Sequence, residues 1–113
     1  LLGALVLEFA SDGRASGAMF AAYVEEADAS TRLNEILGAL TSDLGTAESG
    51  GRGEAACRER ALSANDWSPL SKGECEIVYH WGLSAASSSS FTVSGGDDRL
   101  MFAVHEFGGL EDR

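Results

Sequence analysis

Between Leu33 and Leu44 the apolar residues Leu33, Ile36, Leu37, Leu40 and Leu44 recur at i, i+3, i+4, i+7 and i+11. That spacing places all of them on one side of an α-helix and predicts a helix with a single apolar stripe. Asp28 or Ser30 is positioned to cap its first turn, and Gly45 stands where a left-handed residue ends a helix. Gly38 lies inside the pattern and costs about 1 kcal/mol relative to alanine, which suggests close approach to another element. A helix with one apolar stripe needs a partner surface, and the flanking segments supply strands.

Leu5 to Phe9 reads as a short apolar strand, and Asp12-Gly13 provides turn chemistry because glycine accepts positive φ without steric cost. The run Gly17 to Val24 also fits a helical face, but the preceding turn and its aromatic residues favour a strand. Residues 45–53 are rich in glycine and polar residues and read as a flexible loop, followed by a short helix over 54–63. Trp67 is expected to anchor the irregular stretch up to Pro69. Residues 74–83 alternate, with Cys75, Ile77, Tyr79, Trp81 and Leu83 on one face. Phe91 to Val93 and Leu100 to Phe107 complete a hairpin through Gly95-Gly96-Asp97-Asp98. Both faces of the last strand are largely apolar, which marks it as central or covered on both sides. The expected fold is α+β: one domain over residues 1–113, with about five antiparallel strands in the order ββαβββ covered by one amphipathic helix. A half-closed barrel capped by that helix is the alternative.

The phrase Leu7-Glu8-Phe9-Ala10-Ser11-Asp12-Gly13-Arg14-Ala15-Ser16-Gly17 is similar to hairpins of small β-barrel lipoprotein and calycin-like domains. It covers roughly a tenth of the chain, is a generic turn, and implies no function. The amphipathic helix that follows departs from those barrels.

The net charge is −10, from 18 acidic and 8 basic residues. A field of that sign repels nucleic-acid phosphates and attracts basic protein surfaces, so no nucleic-acid partner is expected. The same surface also serves plain solubility. No run of about 20 apolar residues is present, so no membrane span is expected. Cys57 and Cys75 could close a loop of 18 residues, a bridge worth about 3 kcal/mol by the chain-entropy argument, or remain free thiols. A cytoplasmic setting is slightly favoured; a bridge would suit a secreted protein.

No catalytic or cofactor motif stands out. The serines at 84 and 87–90 lack the Gly-x-Ser-x-Gly setting, and the glycines around Arg52 match no phosphate-cradling loop. Cys57, Cys75, His80 and His105 lack the spacing of a compact metal site, so neither metal nor cofactor is expected. Glu8 sits among apolar neighbours and is a candidate pocket carboxylate, together with His80, His105 and Tyr79. Glu25, Glu26 and Asp28 form an acidic cluster that either stabilises the helix N-terminus or belongs to a contact face. Tyr79 and Trp81 become anchors for a partner if they are exposed.

Three functional expectations follow. The leading one is an acidic protein-binding module that inhibits or neutralises a basic partner, as immunity-type proteins do, rather than an enzyme. The second is a small ligand-binding or enzymatic domain with a pocket between sheet and helix. The third is a secreted or assembly-bound structural component stapled by Cys57 and Cys75. Composition leaves the oligomeric state open.

Overall fold

In a computed structural model the chain is described at residues 3–9, 13, 15–50, 54–82 and 87–107, with side chains described in those ranges except at 3–9, 15, 16, 49, 54 and 107. The elements are β1 (Gly3–Phe9), β2 (Ala15–Val24), α1 (Ala29–Leu44), β3 (Glu48–Gly50), α2 (Glu54–Ala64), α3 (Ser68–Ser71), β4 (Ile77–Gly82), β5 (Ser88–Gly96) and β6 (Arg99–Phe107). A single 3-10 turn, Glu26–Asp28, leads into α1.

The fold is α+β with an antiparallel sheet, in the order β1-β2-β6-β5-β4-β3. It is an open sheet with β1 and β3 at its edges rather than a half-closed barrel. Two features correct the expected ββαβββ order. The segment read as a loop contributes the short strand β3, whose Ser49 pairs with Tyr79 of β4. The short helix expected over 54–63 is present as α2, and an additional short helix, α3, follows it before β4. Three residues, Glu-Ser-Gly, carry no alternation that sequence reasoning could detect; β3 forms because the edge of β4 offers unpaired backbone groups.

Strand alternation sorts the sheet into two unlike faces. On one, Val24, Leu100, Phe102, Phe91, Val93, Ile77, Tyr79 and Trp81 are buried beneath the helices. Leu33 is fully buried against them, while Ile36, Leu37, Leu40 and Leu44 pack on the same cluster half-buried. The rings interlock: Phe91 meets Phe102 edge-on at 5.6 Å between centroids, and Tyr79 stacks on Phe91 at 6.0 Å. Such pairs add about 0.5–1.5 kcal/mol each beyond the area they bury. On the opposite face Met19, Ala21, Val78, Thr92, Met101 and Ala103 are only half-buried. Strand β6 is therefore central, as its apolar pattern implied, but helices cover it on one side.

Polar contacts fix the helices in place. The Trp67 indole N–H donates to Asn65 Oδ1 at 3.1 Å and to Ser30 Oγ at 3.3 Å, and Ser30 donates in turn to Asn65 at 2.9 Å. Asn65 follows α2 with φ of 53°, a left-handed conformation that asparagine tolerates better than most residues. Trp67 is thus the anchor its position suggested. Pro69 opens α3, where its missing N–H costs nothing. Asp66 accepts from Arg60 Nη2, from Ser68 N and from Ser68 Oγ, the last at 2.7 Å, and so organises the start of that short helix.

Two local expectations about α1 need correction. Asp28 makes no capping bond. The preceding 3-10 turn runs directly into the helix, so Asp28 has helical dihedrals (φ −101°, ψ −3°) in place of the extended geometry a capping side chain requires. Gly38 approaches nothing: a Cβ built there would meet no atom within 4 Å. The close approach occurs at Gly95, where a Cβ would collide with the backbone carbonyl oxygens of Leu70 and Arg99. Gly45 does end α1, with φ of 87° and its N–H bonded to Thr41 O.

Candidate functional site

The end of the sheet where β2 leaves and β6 enters carries a cleft of about 500 Å³. Its wall is built by Tyr23 and Val24 at the end of β2, by Glu25 and Glu26 in the turn towards α1, and by Asp98 and Arg99 at the start of β6. Local chemistry explains the position of each. Alternation buries Val24 and turns Tyr23 outward, leaving it 60% exposed. Asp97 and Asp98 adopt φ of 54° and 60°, the paired left-handed conformation of a two-residue hairpin turn, between Gly96 and Arg99, which pair across it. The turn therefore projects two carboxylates beside Tyr23.

Glu25, Glu26, Asp28, Asp97 and Asp98 are all exposed. Glu26 also serves the fold, because Oε1 accepts a 2.7 Å bond from the buried Ser71 hydroxyl and so links the 3-10 turn to α3. The cation in the cleft, Arg99, lies over the Tyr23 ring at 5.3 Å from its centroid. That contact uses the guanidinium locally and presents the tyrosine in a fixed orientation. The arrangement is an exposed aromatic ring surrounded by carboxylates. Among the described residues that line the cleft there is no nucleophile–base pair.

The other candidate residues do not converge. Tyr79 and Trp81 are 7% and 2% exposed and belong to the helix-covered core, which removes them as partner anchors. Their alternation with Cys75 and Ile77 had already placed them on that face; among the described residues the exposed aromatic side chains are Tyr23 and Phe20. His80 and His105 lie on the opposite, open face, in one cross-strand row with Ser90 between them. Two strand spacings separate their Cα atoms by about 9.6 Å. Glu8 pairs with Gly17 in the β1–β2 register, and its side chain lies outside the described residues. Cys57 and Cys75 are joined as a disulfide, with Cα atoms 6.4 Å apart, tying α2 to the entry of β4. Among the described residues, no group of three or more His, Cys, Asp and Glu side chains could hold a metal ion, and no helix is long and apolar enough to cross a membrane.

Sequence reasoning read Asp97 and Asp98 as a hairpin tip and overlooked Tyr23 and Arg99. The signal for Tyr23 was its position one residue from Val24 and two from Glu25, which alternation places outside. No family model, curated protein or solved structure matches the chain.

Proposed function

We propose that the chain is an acidic protein-binding module that meets a basic partner with the end of its sheet, in the manner of an inhibitor or immunity-type neutraliser. The observation that carries this reading is the cleft in which Tyr23, 60% exposed, stands among Glu25, Glu26 and Asp98. Tyrosine supplies rigid contact area at low entropic cost, and surrounding carboxylates steer a cationic surface onto it. The net charge of −10 extends that field well beyond the cleft. The reading does not depend on Tyr79 or Trp81. A ligand-binding or enzymatic reading draws less support, because Tyr79 faces the helices while His80 and His105 occupy the other face and so line no common cavity.

The test is recovery of partners by the immobilised chain at low and at high salt, beside a Tyr23→Ala/Asp98→Lys variant. A basic protein retained by the wild type at low salt, and lost both on adding salt and from the variant, is the expected result. Equal recovery by wild type and variant contradicts the reading, as does the absence of any basic protein.

A further inference from the structure

His80 and His105 line no cavity, but strand pairing brings them into one row across the sheet. Glu48 on β3, His80 on β4, Ser90 on β5 and His105 on β6 are consecutive cross-strand partners, and Met19 on β2 follows. Residues directly opposite one another share a face and stand close enough for their side chains to interact. Chain spacing hides the relation between the two histidines, because β5 lies between their strands. His80 is exposed and His105 is half-buried. The residue that separates them, Ser90, is small. In the adjacent row Gly82 pairs with Ser88, and a Cβ built at Gly82 would meet no atom within 4 Å. Among the described residues, little crowds that flank of the row.

We propose that His80 and His105 bind a divalent transition-metal ion, copper(II) foremost, above Ser90. An ion there stands one strand spacing, ~4.8 Å, to the side of each histidine backbone. An imidazole together with a metal–nitrogen bond of about 2 Å covers that span. Two imidazoles carry the site, since no group of three or more His, Cys, Asp and Glu side chains among the described residues could hold a metal ion. Water completes the coordination. Glu48 is exposed and in register with His80, where a carboxylate can orient the imidazole and raise its basicity. Copper(II) leads because nitrogen sites prefer it to nickel(II) and zinc(II). The Met19 thioether, opposite His105, adds a soft donor to the row that suits reduced copper as well. The net charge of −10 concentrates cations around the whole chain. The site shares no residue with the Tyr23 cleft, so either proposal can fail without the other.

The experiment is calorimetric titration of the full chain with copper(II) and, separately, with zinc(II), beside electron paramagnetic resonance of the copper-loaded protein. The variants are His80→Ala, His105→Ala, the double His80→Ala/His105→Ala and Glu48→Gln, each checked for folding by circular dichroism. The wild type is expected to take up copper(II) saturably and more tightly than zinc(II), with nitrogen splitting from both imidazoles in its spectrum. Each single histidine variant is expected to lose about tenfold or more in affinity, at least what an outer-shell partner is worth. Glu48→Gln, which keeps the size and removes the charge, is expected to lose less than either. Copper(II) binding that the folded double variant retains overturns the proposal, because the ion then sits elsewhere. A wild-type spectrum in which only one imidazole couples overturns it as well, and that reading needs no variant to fold. The absence of saturable copper(II) binding up to high micromolar concentration overturns it outright.

Discussion

The indole Nε1 of Trp81 donates a 2.9 Å hydrogen bond to the carbonyl oxygen of Gly45. One residue lies near the C-terminal end of β4 and the other terminates α1, 36 positions earlier. The bond therefore locks the C-terminal end of the leucine helix onto the sheet it covers, while Leu33 locks the other end by burial. Replacing Trp81 by phenylalanine keeps most of the apolar contact but removes the donor and some ring volume. We expect a loss of about 1–2 kcal/mol in urea unfolding, together with faster amide exchange at Gly45, whose N–H closes the last turn of α1.

Gly95 and Gly38 make an opposed pair. A methyl at Gly95 meets the backbone of α3 and of Arg99, neither of which can yield like a flexible side chain. Gly95→Ala should therefore cost about 1–3 kcal/mol through overpacking. Gly38 is exposed in the middle of α1 with open space around it, so Gly38→Ala should stabilise by about 0.5–1 kcal/mol. Thermal unfolding of the two variants should shift the midpoint in opposite directions.

The disulfide between Cys57 and Cys75 spans 18 positions and links α2 to the sheet. Closing a loop of that length restricts the unfolded chain and is worth about 3 kcal/mol. Reduction, or a Cys57→Ser/Cys75→Ser double variant, should lower stability by that order. Mass spectrometry with and without reductant checks the bond directly: the oxidised chain gains the mass of two hydrogens only after reduction.

Asp66 carries a pH signature. The Ser68 hydroxyl, then the Arg60 guanidinium and the Ser68 N–H, hold its carboxyl below the ordinary value of 3.8. A carboxyl that is more acidic in the folded state contributes its stability in full above the unfolded value and loses it as pH falls through the lowered folded value. The stability difference between wild type and Asp66→Asn should hold steady above about pH 4 and shrink as the pH falls further. A difference that grows on acidification would contradict the assignment.

Much of this architecture could be read from side-chain periodicity. The stripe from Leu33 to Leu44 and the alternation from Cys75 to Trp81 encode which faces meet, because helix and strand repeats differ. What escaped was set by contacts distant in sequence. The strand Glu48–Gly50 exists because β4 has a free edge, and the collision site at Gly95 depends on where α3 lands. Asp28 looked like a helix cap by residue type, yet the turn preceding it dictates its backbone. The acidic cluster Glu25, Glu26 and Asp28 was visible from composition. Its neighbours in space, Tyr23 and Asp98, come together only when β2 and β6 pair, with Tyr23 opposite Met101.

The proposed role is tested most directly by the association rate with the basic protein that the chain retains, measured by stopped flow across a series of ionic strengths. The account predicts a rate that falls steeply as salt rises and a markedly lower low-salt rate for Glu25→Lys/Asp98→Lys. A rate indifferent to salt, or equal for wild type and the charge-reversed variant, would contradict it.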